Sequence, residues 1–335
     1  MTDYRRLIDS ETWAFIERTA ACYPPSDTDM TIEAQRTVYD RMCARFHTPY
    51  PEGVSAEAKE MAIGRRKMEL RRYRAMRYDA HALVLYLHGG GFVMGGLESH
   101  DSICAEICHR TGYEVVSVDY RLAPEHPHPA AFEDCLAAYR WALDSYDLPV
   151  VLVGDSAGGN LAAAVAHATR ADRQRPIGQV LIYPVLGADT NLPSHLKHAE
   201  APMLTVRDLH YYTKLRASGI DVTGDATFAP LSDTDFSRLP PTIVITAEFD
   251  PLSSEGEVYR DRILAAGGKA WWHEEAGLVH GYLRARHCAA RARESFSRII
   301  DCIKELGRGE WHHPEAPAAS EARTVLGSAT LHPID

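Results

Sequence analysis

Short apolar runs of strand length alternate along this chain with stretches whose apolar positions recur at helical spacing. Ala82–Leu87, Glu114–Val118, Val150–Val153, Gln179–Tyr183, Thr242–Ala247 and Lys269–Glu274 read as strands. Between and after them, Ser102–Arg110, Ala130–Ser145, Ala157–Thr169, Ser253–Ala266 and Arg284–Leu306 read as helices. Most of the strand runs lack a polar alternation, as strands buried on both faces do. The expected class is therefore α/β, with a mostly parallel central sheet flanked by helices. Right-handed crossovers would bring the loops that follow the strands to one edge of that sheet.

Two stretches stand outside the alternation. In the first, Trp13, Ile16 and Tyr23, then Ile32, Gln35, Tyr39, Met42 and Phe46, recur at helical spacing on either side of Pro24-Pro25. This predicts two amphipathic helices within residues 1–50. The second, residues 186–227, intervenes between two sheet strands and holds a predicted helix, Val206–Leu215. Thr205 is its expected N-cap, with Asp208 three residues on as in a capping box. Residues 51–185 and 228–307 are left as the core, and 308–335, rich in Ala, Pro and Ser, as a poorly anchored tail. Met61–Asp79 carries Arg65, Arg66, Lys67, Arg71, Arg72, Arg74 and Arg77 and lacks the glycine-turn pattern expected of early strands. No strand is assigned before Ala82.

Composition narrows the function classes. A chain of 335 residues, 45% of them hydrophobic, can form one large α/β domain with added elements. Its net charge of −10 argues against nucleic acid or an anionic membrane as partner. Seven cysteines without disulfide-framework spacing, and no signal-peptide pattern in Met1-Thr2-Asp3-Tyr4-Arg5, predict a cytoplasmic protein. No apolar run reaches membrane-spanning length. Cys104 and Cys108, with His100 and His109 nearby, have the spacing of one helical face, and no second ligand pair follows; they are expected to be buried thiols, with no metal and no cofactor. The His126-Pro127-His128-Pro129 and His312-His313-Pro314 clusters read as loop residues.

The chemistry centres on Gly154-Asp155-Ser156-Ala157-Gly158, a G-x-S-x-G sequence between a strand and a helix. That setting holds a serine on a sharp turn as a nucleophile. A serine hydroxyl needs a base, a group to orient the base, and donors for an oxyanion. The run Ala82–Leu87 leads into His88-Gly89-Gly90-Gly91, where side-chain-free backbone can approach a carbonyl oxygen. Gly89, Gly90 and Ala157 are the candidate amide donors. A nucleotide-cradling loop is the alternative, but neither G-x-G-x-x-G nor G-K-[ST] is present. Asp250 and His280 follow Ser156 in the order that an elbow serine's partners take. Glu248 is the rival carboxylate, expected to be structural because it lies closer to the strand.

Four signatures together resemble the hormone-sensitive-lipase-like branch of the α/β-hydrolases, with its bacterial carboxylesterases and acetyl esterases. They are His88–Phe92, Asp119-Tyr120-Arg121-Leu122-Ala123-Pro124-Glu125, Gly154–Asn160, and Asp250-Pro251-Leu252 with His280-Gly281. The resemblance spans roughly 80–306. It implies that Ser156 attacks an ester carbonyl, that His280 takes and returns the proton, and that Asp250 holds the imidazole. It also implies that residues 1–50 and 186–227 pack as a helical cap over the site, and it admits a homodimer. Phe92, Met94, Met203, Leu204, Tyr211 and Tyr212 are candidate substrate-binding residues, and the modest cap favours short acyl groups. The partner expected is a small-molecule ester, hydrolysed as by a serine carboxylesterase. Two alternatives stay open: a non-catalytic small-molecule receptor on the same scaffold, which retention of His280 argues against, and amide hydrolysis or acyl transfer through the same acyl-enzyme.

Overall fold

The computed structural model describes residues 2–24, 30–79, 81–187 and 191–314. Most of the expected tail, 315–335, and Pro25 lie outside them. Helices α1 (Tyr4–Leu7), α2 (Ser10–Ala20) and α3 (Ile32–Arg45) open the chain. Strands β1 (Val54–Ile63), β2 (Arg66–Ala75) and β3 (Leu83–Leu87) follow, then α4 (Asp101–Thr111), β4 (Glu114–Val118), α5 (Ala130–Ser145), β5 (Val150–Asp155), α6 (Ala157–Thr169) and β6 (Gly178–Ile182). Short α7 (Pro193–Lys197) and longer α8 (Val206–Ala217) precede β7 (Thr242–Phe249), α9 (Ser253–Ala265), β8 (Ala270–Val279) and α10 (Ala290–Gly307).

The strands form one eight-stranded sheet in the order β1-β2-β4-β3-β5-β6-β7-β8. The pairs β1·β2 and β2·β4 are antiparallel; every pair from β4·β3 to β7·β8 is parallel. Every residue of β3, β4, β5 and β6 is buried, which is why those segments read as unbroken apolar runs. Val84, Tyr86, Val115, Val151, Val153 and Val180 face one hydrophobic cluster; Leu83, Leu85, Val116, Leu152 and Leu181 face the other.

The β1–β2 hairpin corrects the reading of Met61–Asp79. Gly64 makes its turn at φ +59°, so a glycine turn is present. Met68 and Leu70 are buried on one face of β2 and Tyr73 on the other, while the arginines between and after them meet carboxylates. Arg72 pairs with Glu57 at 2.7 Å, Arg74 with Glu114 at 3.1 Å and Arg71 with Asp101 at 2.8 Å. An edge hairpin can carry such charge because its outer strand β1 is largely exposed.

Three smaller corrections bear on the site. Strand β8 runs to Val279 rather than ending at Glu274, so His280 leaves the strand directly. Gly277, at φ +76°, sits within that strand near the register shift against Ala247 and Phe249. The last helix starts at Ala290; Arg284 belongs to a separate 3₁₀ turn, Tyr282–Ala285. Tyr23 lies beyond the end of α2.

The capping box at Thr205 and Asp208 forms in both directions, which fixes the start of α8. The two stretches outside the alternation touch each other. Gln35 Nε2 of α3 donates to the Tyr211 hydroxyl of α8 at 2.7 Å, and Tyr4 of α1 bonds His198 after α7 at 3.1 Å.

Candidate active site

Ser156 sits between β5 and α6 at φ +53°, ψ −117°, a backbone state costly for a residue with a side chain. Its neighbours explain how that state is held. A Cβ on Gly158 would lie 1.9 Å from the Leu87 carbonyl oxygen, and one on Gly154 would lie 2.3 Å from the Gly158 carbonyl oxygen. Both glycines are thus required by closely approaching backbone.

Strand ends bring the partners together. His280 Nε2 lies 2.9 Å from Ser156 Oγ, and His280 Nδ1 lies 2.7 Å from Asp250 Oδ2. Asp250 follows β7, is fully buried, and accepts the Leu252 backbone N–H at 2.9 Å through its other oxygen. The Tyr183 ring, 4.8 Å centroid to centroid, packs against the imidazole. Glu248 points elsewhere: it accepts the Gly277 N–H at 2.8 Å and so pins the irregular part of β8.

The glycine loop departs from expectation at one position. Gly89 donates its N–H to Asp155 Oδ1 at 3.0 Å, so this amide is already spent within the protein. Gly90 and Gly91, at φ +128° and +62°, and Ala157 have amides with no backbone or side-chain acceptor among the described residues. The sequence could not show that the acidic residue beside the serine would consume the first glycine amide.

Asp155 is the hub of a buried polar layer under the serine. Its carboxylate accepts from Tyr86 Oη at 2.8 Å and from Tyr183 Oη at 3.5 Å, and bonds His100 Nε2 at 3.3 Å. Burial acts to raise its pKa, yet the His100 imidazole, the Arg284 guanidinium and the Tyr86 hydroxyl outweigh it and hold the carboxyl well below the usual range. His88 stacks on Tyr120 at 4.2 Å, and burial pushes its pKa down to about 3. It is a neutral, structural ring beneath the loop.

A cavity of about 950 Å³ opens over Ser156 and His280. Five of the six expected substrate contacts line it: Phe92, Met94, Met203, Leu204 and Tyr212. Tyr211 does not; it is 39% exposed, its hydroxyl taken by Gln35. Helical periodicity around Tyr211-Tyr212 could not tell which ring turns inward. Tyr212 lies against the glycine loop, since a Cβ on Gly91 would meet its ring at 2.8 Å. Ile16, Tyr39 and Met42 from the N-terminal helices also line the cavity. So do Arg216 and Arg284, whose charge would ordinarily place them at the surface. Cys104 and Cys108 lie buried on α4 away from this cavity, and burial raises both thiol pKa values. Among the described residues no group of three His, Cys, Asp or Glu could hold a metal ion, and no helix is long and apolar enough to cross a membrane.

A strained serine after the fifth strand, reached by a histidine after the eighth, on a sheet of this topology, defines an α/β-hydrolase. The chain belongs to the α/β hydrolase fold family, which it matches over residues 84–284. It is similar to esterase LipI of Mycobacterium tuberculosis, at 41% identity over 68% of this chain and 73% of that one. It is also similar to an ethyl acetate hydrolase of Pseudomonas putida, at 32% identity over 71% and 78%. A solved esterase from the bacterial hormone-sensitive lipase family superposes at a TM-score of 0.80, with 25% identity, over 89% of this chain and 98% of that one. Within the family, the chain is a carboxylic ester hydrolase of the hormone-sensitive-lipase-like branch.

Proposed function

We propose that the protein hydrolyses short-chain acyl esters through a Ser156–His280–Asp250 triad and an acyl-enzyme intermediate. The observation that carries this reading is the unbroken hydrogen-bonded chain from Asp250 through His280 to Ser156, at 2.7 and 2.9 Å, at a cavity of about 950 Å³. In the first half-reaction His280 Nε2 takes the Ser156 proton as Oγ bonds the ester carbonyl carbon. The imidazolium, held by Asp250, then gives that proton to the leaving alcohol as the C–O bond breaks. Water repeats the sequence on the acyl-enzyme and releases the acid. The carbonyl oxygen carries the developing charge, and the proposed donors to it are the amides of Gly90, Gly91 and Ala157, Gly89 being committed to Asp155. No proton passes to Asp250.

Residues 1–50 and 186–227 are proposed as the cap, with 51–185 and 228–307 as the core; the Gln35–Tyr211 and Tyr4–His198 bonds support pairing the two cap parts. The cavity volume is shared between acyl and alcohol halves, and the ethyl acetate hydrolase among the relatives supports a small acyl group. The test is a series of nitrophenyl esters from acetate to decanoate, run on wild type and Ser156→Ala together. Turnover that peaks at short chains and vanishes in the variant is expected. Near-normal turnover in Ser156→Ala overturns the mechanism, and a peak at long chains overturns the acyl assignment.

A further inference from the structure

Two arginines line the cavity over Ser156 without a carboxylate within salt-bridge distance among the described residues. They differ in what their guanidinium groups have left to give. Arg216 has an unpartnered buried Nε, but it spends Nη1 on the Phe228 carbonyl oxygen at 2.9 Å and Nη2 on Asn160 Oδ1 and the Thr227 carbonyl oxygen at 3.2 and 3.3 Å, and the Phe92 and Phe228 rings cover its guanidinium. Arg284, 9% exposed, is less satisfied. Its Nη2 donates to the Tyr39 hydroxyl at 2.6 Å and lies 3.4 Å from His100 Nε2. Its Nε is buried with no oxygen or nitrogen partner, the Cys43 thiol bonds the guanidinium, and the hydrogen bonds to oxygen and nitrogen among the described residues all leave from Nη2, none from Nη1. A Cβ on Gly281 would stand 3.9 Å from Arg284 Nη1 and 3.9 Å from Met203 Cε, so this free corner lies beside the residue that follows His280, facing the cap.

A guanidinium removed from water normally meets a carboxylate or several carbonyl oxygens. The buried anion nearest in the network, Asp155, does not fill that need. Its oxygens are engaged by Tyr86, Gly89, His100 and Tyr183, and Arg284 is not among its hydrogen-bond partners. The cavity's other two carboxylates are also occupied: Glu255 accepts the Gly187 N–H at 2.6 Å and pairs with His195, and Asp208 is locked in the α8 capping box. What remains is a cation whose Nη1 is unused, in the lining of a mostly apolar cavity and beside Gly281, the residue after His280.

We propose that Arg284 is an anion anchor, and that the preferred substrates are esters carrying a carboxylate a few bonds from the scissile carbonyl. This rests on the ester-hydrolase reading of the same site and names the substrate class within it. A carboxylate oxygen would accept from Nη1 there, in a mostly apolar setting where a charged hydrogen bond is strong. An uncharged ester of equal size leaves that charge unmet and gains nothing from it.

The test compares charged esters with their uncharged amide counterparts in two arms. One arm carries the charge on the acyl half, p-nitrophenyl hydrogen glutarate against p-nitrophenyl glutaramate. The other carries it on the alcohol half, 3-acetoxypropionate against 3-acetoxypropionamide. In wild type, kcat/KM for the charged ester is expected to exceed that of its amide partner about tenfold in one arm. That ratio should fall to about one in Arg284→Gln and be partly kept in Arg284→Lys. A wild-type ratio at or below one in both arms overturns the proposal, whether or not the variants fold. Calorimetry with glutarate separates the two readings. Glutarate bound by wild type and not by Arg284→Gln, with no ester turned over, keeps the anion site and rejects the hydrolase mechanism. Neutral esters turned over without glutarate binding keep the mechanism and reject the anchor.

Discussion

The guanidinium carbon of Arg216 lies 3.6 Å from the centre of the Phe92 ring. Arg216 belongs to α8, and Phe92, at φ +64°, ends the loop that carries Gly90 and Gly91. The same guanidinium reaches Asn160 on α6, one turn beyond Ser156, so one side chain ties the inserted segment to both the glycine loop and the serine's helix. From the other side Arg36 of α3 donates to the Val93 carbonyl oxygen at 2.8 Å and the Ala123 carbonyl oxygen at 3.0 Å. Residues from 1–50 and from 186–227 thus both hold the glycine loop.

If this clamp sets the loop's aim, Arg216→Met should lower kcat more than it raises KM. The replacement fills similar volume but loses a desolvated cation–π contact of about 2 kcal/mol, which corresponds to a kcat loss of roughly 10–30-fold. Steady-state kinetics on a nitrophenyl ester, with a urea midpoint to confirm folding, measures it. An unchanged kcat with a raised KM would show that Arg216 serves ground-state binding only.

These arginines mark the limit of what the sequence made legible. The interior strands and the helices against them were readable because burial on both faces leaves only apolar residues, a pattern independent of partners. The order of Ser156, Asp250 and His280 was readable because strand ends put loop residues on one edge. Arg36, Arg216 and Arg284 were not, because a charged residue is normally exposed, and only the folded chain shows which ones turn inward. The β1–β2 hairpin was hidden for a related reason: its arginines are balanced by Glu57 across the hairpin and by Asp101 and Glu114 from later in the chain. Gly89 was misassigned because the acceptor of its amide, Asp155, lies 66 residues away.

Asp250→Asn should reduce kcat by about 10⁴-fold while leaving the fold in place. The amide can occupy the same buried position, but its NH₂ group facing Nδ1 favours the tautomer with Nε2 protonated, which cannot accept the Ser156 proton. Glu248→Gln, two residues before Asp250, should have little effect on kcat, since Glu248 bonds the Gly277 amide and not His280. Equal losses in the two variants would remove the distinction between these carboxylates.

Stability should fall on acidification through the histidine range. His88 has a folded pKa of about 3, against about 6.5 for an unfolded histidine. Between those values the unfolded chain binds a proton that the folded one does not, so stability is full above pH ~6.5. It then drops toward pH ~3 at about 1.4 kcal/mol per pH unit for this one group. Buried His100 and His167, also lowered by burial, act in the same direction. Urea midpoints from pH 7 to 4 should show a shallower slope in His88→Asn than in wild type, and identical slopes would discount His88.

Gly158 and Gly219 allow the space and the strain at a glycine to be separated. At Gly158 an added methyl would stand 1.9 Å from the Leu87 carbonyl oxygen and 2.6 Å from that of His88. Those atoms belong to β3 and the start of the glycine loop, which are packed on both sides and cannot give way. Gly158→Ala should therefore cost more than about 4 kcal/mol or prevent folding, as overpacking against backbone does. At Gly219 the φ is +81° but nothing lies within 4 Å of an added Cβ. Gly219→Ala should cost only the conformational strain, about 1 kcal/mol, with unchanged kcat. Thermal unfolding of the two purified variants reads both. A Gly158→Ala protein as stable as Gly219→Ala would mean that β3 and the serine's helix are not packed as closely as their backbones stand, and the tight seat of Ser156 would lose its physical basis.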